Sequence, residues 1–395
     1  MGKAAFSIVC LSSQEWDDRL PTNRQQIMRR AASRGHTVLF VETGGFLGRH
    51  LSRLGRGPAR RSILRRLFRG DRVADGIVVR KAVNVAPWGQ RHKAAARLNA
   101  RVTAASLRPA VAGLPQPVVL WVYDPCAAEV AGRVGERFAV YDCVDDYPEQ
   151  AGGDPRRRAV LSSGDAAAAA RSRLVFATTR PLFERQRLRN SRTFLAPNGA
   201  DYDRFSQAVD RTIAAPDVAR LRQPVIGFAG NITAAKVDFD LLSRLAESRP
   251  DWTMLLVGPA DRGGRPRVEQ LARLPNVVWV GAKPYDELHR YIAAFDVGLI
   301  PYAENDYTRS CLPLKLYEYL AAGKPVVASG VPELAGMEPD VLLRGEAEEF
   351  AAAVEAVLPR SAPADIQRRR ELASQNTWET RASRLLGLVG EELAR

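Results

Sequence analysis

NDYTRSCLPLKLYEYLAAGKPVVASG, residues 305–330, is the stretch whose reading decides the fold. A polar loop runs through Pro313 into an amphipathic helix that Gly323 ends, and the β-branched run PVVAS, 325–329, follows at once. Proline at the start and glycine just past the end suit a helix, because proline gives up an N–H that has no partner there and glycine accepts the left-handed turn. A helix feeding a short apolar strand is one step of a β-α-β succession, in which parallel strands are covered by helices on both faces.

The same alternation continues outward. Upstream lie the strands PVIGFAG (224–230), TMLLVGP (253–259), VVWVG (277–281) and VGLIPY (297–302), with helices near 236–248, 264–273, 285–294 and 313–322. Earlier still are AFSIVCL (5–11), a helix over 22–34 closed by Gly35, TVLFVE (37–42), GIVVRKA (76–82) and a helix near 91–107. Then come PVVLWVYD (117–124), FAVYD (138–142), LVFAT (174–178) and a strand at 193–196. Turn residues in APNGADYDRF (196–205) and a proline-containing segment at 211–224 interrupt the pattern before it restarts. The expected class is α/β, with Rossmann-like doubly wound domains over 1–200 and 201–370. The helical, charged tail, 364–395, has Trp378 as its one large anchor; from 371 it is expected to pack back on the first domain. A length of 395 residues fits two such cores. The only low-complexity feature is a polyalanine turn at 166–170.

Charge is unevenly spread. Residues 1–200 hold 34 Lys and Arg against 16 Asp and Glu, whereas the remainder holds 24 against 28. Much of the excess sits in FLGRHLSRLGRGPARRSILRRLFRGDR, 46–72, where nine arginines alternate with Leu, Ile and Phe. That pattern suits an interfacial segment on an anionic membrane surface. A solvated basic loop is the alternative, since arginine outnumbers lysine 51 to 7 along the whole chain. No helix-turn-helix, zinc finger or RNP aromatic signature accompanies the charge, which argues against nucleic acid. The four cysteines and four histidines show no metal-ligand spacing, so no metal is expected. No apolar run approaches the roughly 20 residues a bilayer-spanning helix needs, and the opening MGKAAFSIVC lacks a signal peptide's longer apolar core. The expected location is cytoplasmic, peripheral at the inner face of the plasma membrane.

In open parallel sheets, ligands bind beyond the carboxyl ends of the strands, where tight turns and helix N-termini meet phosphate. One such place is GFAGNITAAK, 227–236. Gly227 and Gly230 lie three apart, short of the full dinucleotide fingerprint, and no acidic residue closes the next strand to hold a ribose, so a dehydrogenase is disfavoured. Gly230 is then either a plain tight turn or one that faces phosphate. The other place is the 305–330 stretch, where Lys315 and Glu318, three apart, share a helical face near its start. Such a lysine can pair with a diphosphate, and the carboxylate behind it can accept from both ribose hydroxyls. The same spacing also suits an ordinary ion pair on a solvated face.

PLKLYEYLAAGKPVVAS (313–329), together with PNGADYDRF (197–205), GFAGNI (227–232) and NVVWVGAKPYDELHRYIAAFDVGLIPY (276–302), resembles the family 4-type (group 1) glycosyltransferases of the GT-B fold. The motifs fall in the family's order and spacing over 196–330. The resemblance implies two Rossmann-like domains facing across a cleft, with the C-terminal helix crossing back to the N-domain. It implies a nucleotide diphosphate sugar, a UDP-sugar favoured, in the C-domain, with Lys315 on the diphosphate and Glu318 on the ribose. Backbone around Gly281, Ala282 and Pro284 would hold the base, and the loop Thr308 to Leu314, with Arg309, Ser310 and Pro313, would cradle phosphate and sugar. Gly230, Asn231, Lys236 and Tyr302 complete the expected donor site. Retaining members have a glutamate eight residues before the second one; here that position is Ser310, which withdraws the retaining outcome. The chain looks nearest the glucuronosyltransferase-like, teichuronic-type branch.

An inverting enzyme of this kind needs an N-domain carboxylate as base on the acceptor hydroxyl, while cationic groups stabilise the leaving diphosphate without a metal cofactor. AVYDCVDDYPEQ, 139–150, supplies Asp146 as first choice and Asp145 as second; both also suit turn or capping positions. The loop SSQEWDDRLPTNRQQ, 12–26, offers Trp16, Asp17, Asn23 and Arg24 to a glycan or lipid-linked acceptor. Trp16 either stacks on a sugar or dips into lipid, or it pins a surface loop. Two other functions stay open: a nucleotide-sugar 2-epimerase of the same fold, and a nucleotide-sugar or nucleic-acid binding protein without catalysis.

Overall fold

The computed structural model describes residues 5–17, 20–45, 65–67 and 69–395. Of the basic segment 46–72, residues 46–64 and 68 lie outside the described residues, as do Asp18 and Arg19. Two compact units emerge: the described residues up to Ala196 with Arg381–Arg395, and Pro197–Thr380.

The first unit holds β1 (Ser7–Ser12), α1 (Asn23–Ser33), β2 (Thr37–Glu42), β3 (Asp71–Ala74), β4 (Ile77–Lys81), α2 (Lys93–Ala112) and β5 (Val118–Val122). These are followed by β6 (Phe138–Cys143), α3 (Pro155–Arg171), β7 (Leu174–Ala177), α4 (Arg180–Arg187) and β8 (Thr193–Leu195). The sheet order is β3-β4-β2-β1-β5-β6-β7-β8, and every pair is parallel except β3 with β4. Every residue of β1 and β5 is buried, because both sheet faces are covered by helices. Residues 166–170, expected as a turn, lie inside α3 instead. Alanine is the best helix former, and Asp154 caps the start by accepting from the N–H groups of Arg156 and Arg157.

The second unit holds α5 (Tyr202–Phe205), β9 (Val225–Ala229), α6 (Phe239–Ser248), β10 (Thr253–Val257), α7 (Gly264–Leu271), β11 (Val277–Trp279) and α8 (Leu288–Ile292). It continues with β12 (Val297–Pro301), α9 (Leu314–Ala321), β13 (Val326–Ser329), β14 (Val341–Leu343), α10 (Ala347–Val357) and α11 (Pro363–Gln375). Its six strands run all-parallel in the order β11-β10-β9-β12-β13-β14. The chain winds outward one way from β9 and the other way from β12. The gap between their carboxyl ends is therefore the switch point where doubly wound sheets bind ligands. In the first unit the corresponding point lies between β1 and β5.

The tail is two helices rather than one. After α11 the chain breaks at Asn376 and Thr377, where the Ala200 N–H donates to the Asn376 carbonyl and the Trp378 N–H donates to the Ala200 carbonyl. It then forms α12 (Trp378–Leu393), with Trp378 1% exposed. Within the first unit Arg381 meets the fully buried Asp142 at 2.7 Å, and Arg173 and Arg192 both bind Glu392.

Candidate functional site

The two glycines of GFAG have different duties. Gly227 lies inside β9, and a Cβ there would come within 2.1 Å of the Phe295 ring, so it is a packing glycine. Gly230 is the first residue past β9, at φ +140°, and a Cβ would sit 3.1 and 3.2 Å from Cε and Nζ of Lys315. The absent side chain at Gly230 leaves room for that ammonium at the strand end.

Lys315 is placed by α9. Pro313 caps its start, and its end is a Schellman turn: the N–H of Lys324 donates to Tyr319 O (2.9 Å) and that of Gly323, at φ +68°, to Leu320 O (3.0 Å). One helical turn beyond Lys315, Tyr319 accepts a 2.7 Å hydrogen bond from the Ala229 N–H, which latches α9 to the end of β9. At the other end the buried Arg369 donates to Gly323 O (2.9 Å) and to Asp340 (3.0 Å).

The Lys315 ammonium donates to the Tyr302 hydroxyl at 2.8 Å and sits 4.5 Å from the Phe228 ring centroid. Tyr302 is the first residue past β12, so the ammonium lies at the switch point between β9 and β12. Lys315 and Glu318 are each 7% exposed, and they form no salt bridge with one another among the described residues. The solvated-pair alternative thus fails. Burial raises the Glu318 carboxyl to about 7, with Lys315 opposing the shift and Asp201 adding to it. Glu318 has no hydrogen-bond partner among the described residues. A buried ammonium without a carboxylate partner beside a carboxyl without a donor can receive an anion and a pair of hydroxyls.

The loop before α9 is self-braced. Asn305 Oδ1 accepts from the N–H groups of Tyr307 and Thr308, both at 3.0 Å, and the buried Thr308 hydroxyl donates to Ala303 O at 2.7 Å. Ser310 is 9% exposed. Arg309 points to the surface and pairs with Glu304 and Asp306, each at 3.2 Å. Lys236 lies 4.7 Å from the Tyr307 ring centroid and 5.9 Å from that of Tyr302. Asn231 is exposed, the Gly281 carbonyl accepts from the Gly258 N–H, and Pro284 precedes a short 3-10 turn at Tyr285–Glu287. Among the expected donor residues the structure therefore gathers Gly230, Tyr302, Lys315 and Glu318, with Lys236 alongside Tyr302. Phe228 and Tyr319 join them unforeseen; the aromatic residues beside Gly227 and Glu318 were the available signal.

In the first unit, Trp16 is 6% exposed, packs edge-on to Phe40 at 5.1 Å and donates its backbone N–H to Glu42. It pins its loop and is not presented to a sugar or to lipid. Asp17 pairs with Arg66 at 2.6 Å, and Asn23 is buried. Arg24, 3% exposed, donates to the Tyr147 hydroxyl at 3.0 Å and lies 5.4 Å from the Tyr123 ring centroid. Burial works against its charge, but Tyr147 and Asp145 outweigh it and hold the guanidinium above its ordinary value. Asp146 is 4% exposed and bound by Arg185 at 2.7 Å, whereas Asp145 is half-buried in the field of Arg24. No group of three or more His, Cys, Asp and Glu able to hold a metal occurs among the described residues, and no helix among them is long and apolar enough to cross a membrane.

Two doubly wound, predominantly parallel sheets, the second with the Lys315 cluster at its switch point, are the architecture of the GT-B glycosyltransferases. The sucrose-phosphate synthase of Thermosynechococcus elongatus superposes with a TM-score of 0.72 at 17% identity, over 98% of this chain and 99% of that one. Anabaena Alr3699/HepE in complex with UDP-glucose gives 0.67 at 17% identity, over 98% and 99%. Residues 223–360, within the second unit, match the family described as glycosyl transferases group 1. TuaH of Bacillus subtilis (strain 168), provisionally named a teichuronic acid biosynthesis glycosyltransferase, is 36% identical over 201 residues. That match covers 49% of this chain and 49% of the relative, so the chain spans about half the length of the curated relative it matches.

Proposed function

We propose that the protein transfers a sugar from a UDP-sugar to a lipid-linked or polysaccharide acceptor. The observation that carries this reading is the buried Lys315 ammonium held by Tyr302 and Phe228 against Gly230, with no carboxylate partner and with Glu318 one turn behind it. Lys315 takes the diphosphate and stabilises it as it leaves, so no metal is needed; Glu318 takes the ribose hydroxyls. The likeness to a protein solved with UDP-glucose and the match to a glycosyltransferase relative support the donor class. The basic segment 46–72 brings the chain to an anionic membrane on the cytoplasmic side, where a lipid-linked acceptor lies.

The test is release of UDP from UDP-sugars in EDTA, with and without acceptor on anionic vesicles. Acceptor-dependent release that survives EDTA is the expected result. Release or sugar rearrangement without acceptor would point to a hydrolase or epimerase, and binding without turnover to a carrier.

If transfer inverts the anomeric centre, we assign the base to Asp145. Asp146 is 4% exposed with its Oδ2 held by Arg185 at 2.7 Å, whereas Asp145 is half-buried and more open to an acceptor. Asp145→Asn is expected to lower kcat about 10-fold or more with the donor KM unchanged. Asp146→Asn is expected to show mainly as a lower Tm, since it leaves Arg185 with a broken pair. Equal kcat losses at matched stability would remove the distinction.

A further inference from the structure

The first unit contains a cavity of about 420 Å³ that the donor chemistry does not use. It is of the size that small-ligand sites take, roughly 300–1,000 Å³. It lies at the carboxyl edge of the sheet, lined among others by Thr43 just past β2, Asp124 just past β5, Asn84, Trp88, Asn99 and Arg157. Asn84 donates to the carbonyls of Thr43 (2.7 Å) and Gly45 (2.8 Å), leaving its Oδ1 without a donor among the described residues. Asn99 binds both the N–H and the carbonyl of Ala86, which holds the segment leading to Trp88 in place. Asp124, 6% exposed, accepts from the Thr43 hydroxyl and from the Cys126 N–H.

Two features here go beyond structural need. Trp88 is 68% exposed and, at φ +54°, is the one non-glycine residue in the left-handed region among the described residues. A bulky side chain held in that conformation and turned to solvent at a cavity wall is strain of the kind that accompanies a binding role. The second feature is Arg157, whose Nε is buried with no hydrogen-bond partner among the described residues. The carboxylate next to it, Asp154, is already taken: Oδ1 by two backbone N–H groups of α3 and Oδ2 by Arg91 at 2.7 Å. Arg157 also lies in the first turn of the 17-residue α3, whose dipole adds to the positive potential.

We infer that this cavity is the subsite for an acceptor glycan ring bearing an anionic substituent, a carboxylate or phosphate. Trp88 stacks on the ring's apolar face, Asn84 and Asp124 engage its hydroxyls, and Arg157 pairs with the anionic group. Its part as acceptor site rests on the glycosyltransferase reading; its ligand chemistry does not.

The experiment is calorimetric titration of the full-length protein with trigalacturonate and with maltotriose, repeated for Trp88→Ala and Arg157→Gln, with UDP titrated into each sample. Trigalacturonate is expected to bind about 5-fold tighter than maltotriose or better, a preference that Arg157→Gln abolishes. Trp88→Ala is expected to weaken both about 5-fold or more. UDP affinity should be unchanged in both variants, and their circular dichroism and urea unfolding curves should match those of the unmodified protein, which shows that the first unit folds. Equal affinity for the two sugars would overturn the anionic assignment, and undiminished binding by Trp88→Ala, or no binding of either sugar, would overturn the site. Val85 and Leu98 are exposed near Trp88 in sequence, so anionic phospholipid vesicles are a third arm; Trp88-dependent binding to vesicles alone would mean a lipid surface instead. Failure of UDP to bind the unmodified protein would count against the donor reading and leave the sugar results to stand by themselves.

Discussion

Lys315→Ala is expected to lower affinity for UDP about 10- to 100-fold, the loss that follows when a charge-assisted hydrogen bond of about 1.5–3 kcal/mol is removed. The fall in kcat should be larger, about 10²- to 10³-fold, because in the proposed reaction the diphosphate gains negative charge as the glycosidic bond breaks and the ammonium would serve that charge most in the transition state. Arginine is no substitute. The Lys315 side chain ends against Gly230, where even a methyl group would sit 3.1 Å from Cε, and the Phe228 and Tyr302 rings close the other sides. Lys315→Arg should therefore also lose donor affinity, despite keeping its charge. Tyr302→Phe removes one 2.8 Å partner and leaves the ammonium, so its effect should be only a few-fold. Calorimetry with UDP and steady-state kinetics check all three. Unchanged UDP affinity in Lys315→Ala would refute the placement of the diphosphate.

Much of the fold was legible because the long parallel strands are built on short apolar runs bounded by turn residues. The exceptions have physical causes. β3, DRVA, is an edge strand with no buried residue, so it carries no apolar signature. α3 is rich in alanine and arginine, which blurs the contrast between its faces. Within the site, spacing put Lys315 and Glu318 on one face but could not say whether that face met water or a sheet. The answer depends on Phe228 and Tyr302, which reach Lys315 from the ends of β9 and β12. The partner of Asp146 was hidden for a similar reason: Arg185 stands 39 residues downstream on another element. Trp88 gave no signal at all, since its backbone conformation and exposure are properties of the folded loop.

Glu318→Gln should stabilise the ligand-free protein at pH 8 while weakening donor binding, and the two effects have one cause. Folding raises the Glu318 carboxyl from 4.5 to about 7 by burial. Below about pH 4.5 the group is protonated in both folded and unfolded chains and costs nothing. Between there and pH 7 the unfolded chain ionises first, so stability falls as pH rises, and above pH 7 the loss is complete. At 1.36 kcal/mol per unit this amounts to at most about 3 kcal/mol. The amide carries no charge, so the variant's advantage should appear at pH 8 and vanish near pH 4.5 in urea unfolding curves. Binding moves the other way. An ionised carboxylate accepts from both ribose hydroxyls, whereas an amide offers one acceptor and one donor, which predicts about a 10-fold loss of UDP affinity. Since the ligand favours the ionised form, affinity of the unmodified protein should rise as pH passes through 7, and that of the variant should not. Pyrophosphate has no ribose, so its affinity should be insensitive to Glu318→Gln yet fall with Lys315→Ala. A pyrophosphate loss in both variants would show that Glu318 shapes the diphosphate site through Lys315 and does not hold the sugar of the nucleotide.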